Sequence, residues 1–149
     1  MSDNWLQLIP SNPSFQPSAE AAKHAEQLFA SFVPDADEVS ASFKNSVEFF
    51  HPGANWSGVK CPSCGAEAEL WWVGAMQHGA ETQFQDLVVT TPCCGSRVSL
   101  NDLQYVWPAA FGRFVLEALN PNIKDITINQ EQLISSCIGC GLRKVWVHI

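Results

Sequence analysis

The sequence predicts an α+β fold in which two β-α-β halves flank a cysteine-bearing segment. Three observations carry this expectation. Two helix-period stretches each lie between strand-like runs, the same strand–turn–helix–strand order occurs near each end, and four of the six cysteines fall between those two stretches. At 149 residues the chain has the length of one ordinary domain. An apolar fraction of 46%, with six tryptophans and nine phenylalanines, is ample for a core.

Residues 5–9 form an apolar run that stops at Pro10 and Pro13, as a first strand followed by an extended loop would. Ser18 sits where a helix N-cap belongs, with Glu20 in the first turn. Ala21, Ala22, Ala25, Leu28, Phe29, Phe32 and Val33 then recur at helical spacing until Pro34. Next, Val39, Ala41, Phe43, Val47 and Phe49 alternate with polar residues at period two, the signature of a half-buried strand. Asn45 interrupts the apolar face and marks a bulge or bend. His51, Pro52 and Gly53 end the strand.

Within residues 58–100, stretches 67–74 and 84–91 read as strands of a hairpin with His78, Gly79 and Ala80 at its tip, and 97–100 as a third short strand. On that reading the adjacent Trp71 and Trp72 face opposite ways, while Trp56 and Trp107 staple the segment to the rest. Ser99 and Asp102 form an S-x-x-D capping pattern that opens a short helix over 103–106. Residues 111–119 make a strand with Phe114, Leu116 and Ala118 on one side, broken by Asn120 and Pro121. Asn129 and Gln132 resemble an N-cap and its partner. Leu133, Ile134, Cys137 and Ile138 supply the stripe of a second helix, which ends at Gly139 and Gly141 before a strand over 142–149. Two such halves in succession make the ferredoxin-like split β-α-β arrangement. It divides the chain into a main domain of residues 1–57 and 101–149 and an inserted subdomain of residues 58–100.

The chemistry concentrates in two cysteine turns, Cys-Pro-Ser-Cys-Gly at 61–65 and Pro-Cys-Cys-Gly at 92–95. A tetrahedral Zn2+ ion takes four such thiolates. Pro62 presets the first turn and Gly65 lets the chain leave it. Six cysteines are also enough for three disulfides, but C-x-x-C spacing without a visible secretory signal favours metal. The leading ligand set is Cys61, Cys64, Cys93 and Cys94. Two others compete: His78 as fourth ligand beside Cys61, Cys64 and Cys94, and a site completed by Cys137 and Cys140 from their own C-x-x-C string. Against the latter, Cys137 lies on a helix's apolar stripe, and buried free cysteine is common.

The first turn resembles the knuckle of zinc-ribbon proteins over about 40 residues. The second departs from that pattern, because Thr91 stands three residues before Cys94 where a ribbon has cysteine, and Cys93 compensates. Together with the run SLNDLQYVWPAAFGRFVLEALNP from Ser99 to Pro121, the two turns resemble a family of small, uncharacterised bacterial proteins containing a zinc ribbon. The resemblance implies a bacterial, cytoplasmic protein and carries over no catalytic residue.

Four thiolates close a metal site, so the expected role of the zinc is structural and the chain is not expected to be an enzyme. No H-E-x-x-H motif and no Gly-rich phosphate loop is present, and His24, His51, His78 and His148 are scattered singly. Fifteen acidic residues against eight basic argue against general nucleic-acid binding. A charged fraction of only 15% leaves apolar surface for a protein partner, in an adaptor or immunity-type role. The alternatives are a nucleic-acid-binding ribbon and, last, a zinc or cysteine enzyme. The N-terminus has neither the basic nor the apolar part of a secretory signal, and no apolar run has the length of a membrane helix.

Overall fold

The computed structural model describes residues 2–149, which form a mixed α/β fold with three helices. In chain order the elements are β1 (Asn4–Pro10), α1 (Ala19–Phe32), β2 (Glu38–Phe50), β3 (Val59–Lys60), α2 (Glu69–Glu81), β4 (Val88–Thr90), β5 (Arg97–Ser99), β6 (Gln104–Tyr105), β7 (Ala110–Leu119), α3 (Ile128–Ile138) and β8 (Leu142–His148). Strands β2, β7, β1 and β8 lie side by side in that order as one antiparallel sheet. β7 is central because it is apolar almost throughout, with Phe111, Phe114, Val115, Leu116 and Ala118 fully buried on its two faces.

Helices α1 and α3 cover one face of the sheet. Ser18 accepts the Ala21 N–H as N-cap of α1, and the helix buries Ala22, Ala25 and Phe29. They meet Leu6 and Leu8 of β1, Phe114, Leu116 and Ala118 of β7, and Ile134 and Ile138 of α3. Each such large side chain removed from water contributes about 1.5–3 kcal/mol.

The opposite face is closed by the sheet itself. Pairing runs regularly to Phe43↔Phe114, then resumes at Glu48↔Gly112, so residues 44–47 lie opposite Arg113 alone. The bend expected at Asn45 is this irregularity, which sharpens the local twist. Beyond it Phe50 and Ala110 pack on Ile9, Val115, Val145 and Val147, and the ladder folds back over the sheet. Gly112 permits the approach: a Cβ there would stand 2.5 Å from Ile9 Cγ2. A bridge from Gly53 to His148, with Ala54 N–H donating to His148 O at 2.7 Å, ties the end down.

Folding back presents Phe49 and Phe111 to the cysteine-bearing segment. A second core gathers there from Val59, Ala68, Leu100, Leu103 and Tyr105, with Trp56, Trp71, Trp72 and Phe84 against it. His51, Trp56 and Trp72 stack in a row at 5.1 and 4.8 Å between ring centroids. Tyr105 donates its hydroxyl to Leu100 O at 2.8 Å and accepts from Trp72 Nε1 at 3.2 Å.

Several expectations need correction. Residues 67–74 do not form a strand: α2 spans Glu69–Glu81, so His78, Gly79 and Ala80 belong to a helix rather than a hairpin tip. A helix turns both Trp71 and Trp72 toward the second core, where a strand would have split them. The helix expected over 103–106 is instead a 3-10 turn at Leu100–Asp102 followed by β6, with Ser99 capping Asn101 N–H. The cap of α3 is Thr127, whose side chain and that of Gln130 make a reciprocal capping box, not Asn129 with Gln132. Trp56 does pack into the second core, but Trp107 is 41% exposed.

Candidate metal centre

Two hairpin turns of the same build carry the cysteines. The first leaves β3, where Gly65 N–H donates to Cys61 O at 2.9 Å and Cys61 N–H to Ala66 O at 2.9 Å. The second joins β4 to β5, where Gly95 N–H donates to Thr91 O at 2.8 Å and Thr91 N–H to Ser96 O at 2.8 Å. Gly65 and Gly95 both turn left-handed, with φ of 76° and 69°. The turns therefore superpose in pattern: Cys61 matches Thr91, Cys64 matches Cys94, and Ala66 matches Ser96. Cys61 and Thr91 are also the buried members of the two turns.

The two turns bring Cys61, Cys64, Cys93 and Cys94 together, with all four Sγ atoms within 4.8 Å of one another. Cys61 and Cys94 are 3.8 Å apart, and Cys64 and Cys93 3.5 Å. Four sulfurs at about 2.3 Å from one tetrahedral centre stand about 3.8 Å from each other, so the set fits a zinc-sized ion. Adjacent cysteines on a regular strand would diverge. Here both lie in the turn after Pro92, and both join the cluster.

The surroundings favour thiolates unequally. Ser96 and Thr91 hydroxyls, at 3.2 and 3.3 Å from Cys94 Sγ, together with the Ser96 backbone N–H, hold the Cys94 thiol down to about 6. Ala66 N–H acts in the same direction on Cys64, but Cys93, burial, Cys61 and Cys94 outweigh it and push Cys64 up to about 11. Cys61 is lowered, chiefly by the Cys64 backbone N–H.

The competing ligands lie elsewhere. His78 is on α2, exposed, with Nδ1 3.7 Å from Glu81 Oε2. Cys137 Sγ lies 3.8 Å from Ala21 O and Cys140 Sγ 3.8 Å from Ser11 Oγ, both at the edge of the helix-face core. Thr91 and Ser96, whose hydroxyls bond Cys94 Sγ, were not expected in the site. The signal for them is the matched Gly65/Gly95 spacing of the two turns.

Compared with known proteins, the chain matches no family model, no curated protein and no solved structure. Among the described residues no helix is long and apolar enough to cross a membrane.

Proposed function

We propose that this is a zinc-binding protein in which Cys61, Cys64, Cys93 and Cys94 hold one structural ion, and that it acts through contact with a protein partner. The observation that carries the reading is the cluster of four thiols drawn from two matched turns. Four protein thiolates occupy every position of a tetrahedral ion and leave none for water or substrate, which supports a non-enzymatic role. When bound, the ion would cross-link the two turns, a contribution that small segments with little core of their own use for folding.

The split β-α-β, ferredoxin-like description is supported by the strand order β2-β7-β1-β8 with α1 and α3 on one face. The segment between β2 and β7 is then a zinc-ribbon-like insertion whose turns are joined by α2 rather than by a hairpin. A cytoplasmic, adaptor or immunity-type role accords with a net charge of −7 and with apolar side chains left outside on α2, where Leu70 is 99% exposed. Elemental analysis of the purified protein tests the metal reading. One equivalent of zinc, lost in Cys61→Ser and kept in Cys137→Ser, is the expected result; two equivalents, or retention in Cys61→Ser, would overturn it.

A further inference from the structure

Away from the cysteines lies a cleft of about 850 Å³, within the size range of small-ligand sites. Its floor is the strand end where Asn4 of β1 pairs with His148 of β8. One wall is the β7–α3 connection from Asn120 to Lys124. The other comes from Asn55 and Trp107, which flank the cysteine-bearing segment.

The wall around Pro121 is tied down by side-chain hydrogen bonds. Asn120 and Asn122, on either side of it, both hold left-handed backbone, with φ of 47° and 57°. Every polar atom of the Asn120 side chain is spent on this: Oδ1 accepts from Asn4 N–H at 2.8 Å, and Nδ2 donates to Asp3 and Asp37. Non-glycine residues kept in this region cost free energy and persist where surrounding structure imposes them.

The other polar groups are spent only in part. Asn4 Oδ1 accepts from His148 Nδ1 at 2.8 Å, which leaves the Asn4 amide N–H pair as donors and His148 Nε2 open to a further hydrogen bond. Asn55 Nδ2 is committed to Trp146 O, and Asn122 Nδ2 to Asp35 O and Asn120 O. Their Oδ1 atoms remain as acceptors. Among the described residues no carboxylate side chain lines the cleft, and Lys124 is the one lysine or arginine there. Trp107, 41% exposed, adds an aromatic side chain to the lining.

We propose that this cleft binds a saccharide. Neutral donors and acceptors in mixed order match hydroxyl groups, each of which donates and accepts. The Trp107 ring offers an apolar platform to the C–H face of a sugar ring. A cation finds no counter-charge here, and a polyanion finds one lysine only. The preset left-handed wall reduces the ordering cost of binding.

The test is a glycan array followed by calorimetric titration of the metal-loaded full chain with mono- to tetrasaccharides of glucose, galactose and N-acetylglucosamine. A tetra-alanine peptide and adenosine monophosphate serve as comparison probes. Saturable binding of one sugar series is expected, weakened about tenfold in Trp107→Ala and partly restored in Trp107→Phe, with zinc content unchanged. Binding of no sugar at millimolar concentration, sugar binding indifferent to Trp107→Ala, or preference for the peptide or the nucleotide would each overturn the proposal.

Discussion

Thr91 stands in the second turn where Cys61 stands in the first, with its hydroxyl 3.3 Å from Cys94 Sγ. The match of the two turns makes Thr91 the position from which a fourth thiolate is reached in a symmetric site, and Cys93 the substitute. The double variant Thr91→Cys/Cys93→Ser is therefore expected to bind one equivalent of zinc, whereas Cys93→Ser alone is expected to bind it at least tenfold more weakly. Competition with a chromophoric chelator measures both; a metal-free double variant would show that the turns are not equivalent. The same residues set thiol reactivity. With Cys94 held down to about 6 by the Ser96 and Thr91 hydroxyls and Cys64 pushed up to about 11 beside Cys93, Cys94 is expected to be the more reactive thiol of the metal-free protein near neutral pH. Mass mapping after brief alkylation should find Cys94 modified before Cys64, with the Cys94 rate falling as pH drops through 6. Earlier modification of Cys64 would contradict that assignment. His51 offers a further pH effect. Burial lowers it, and its Nδ1 accepts from Gly53 N–H, so the fold favours the neutral ring. Stability held above the ordinary histidine value of about 6.5 is lost as acid protonates the ring.

Strands and helices with strict periodicity were legible in the sequence, and α2 was not. Its opening Leu70-Trp71-Trp72-Val73 favours strands, and Ala68 at its start makes no side-chain cap. Tertiary packing decides it instead. Ala68, Trp71, Trp72, Ala75, Met76 and Gly79 recur at helical spacing, and all but Gly79 lie in or against the second core; that spacing was the overlooked signal. Gly79 approaches Phe84 so closely that a Cβ would meet its ring at 3.0 Å. The fold-back of β2 and β7 was legible only as a break at Asn45, because its cause lies in a distant residue, Ile9, against Gly112. Gly112→Ala should accordingly cost about 1–3 kcal/mol by overpacking, read as a lower denaturant midpoint with unchanged slope. An unchanged midpoint would mean that the ladder does not press on Ile9. Chelation is expected to open residues 58–100 to hydrogen exchange before β2 and β8, since those strands lie in the sheet against the helix-face core. Simultaneous exchange would mean that Phe49 and Phe111 couple the two parts into one cooperative unit.

At the scale of the molecule, one antiparallel sheet is buried by helices on one side and by its own folded-back edge on the other. The cysteine-bearing segment packs on this sheet through the second core at Phe49 and Phe111, and its two turns meet at the thiol cluster. Net charge opposes phosphate, and the segment adds only Lys60 and Arg97 against Glu67, Glu69, Glu81 and Asp86. Anisotropy titrations with single- and double-stranded oligonucleotides at moderate salt are expected to show no binding. Micromolar affinity falling steeply with salt would reveal a basic patch that overrides the net charge. The grouping of Cys61, Cys64, Cys93 and Cys94 was legible because C-x-x-C and Cys-Cys each precede a glycine, while that Cys93 joins the cluster and His78, Cys137 and Cys140 do not required the spatial meeting of two turns. The most direct test of the account is X-ray absorption at the zinc edge of the purified protein. It should read four sulfur neighbours at about 2.3 Å and no lighter atom. A nitrogen or oxygen in the shell would contradict the closed four-thiolate site and, with it, a purely structural role for the metal.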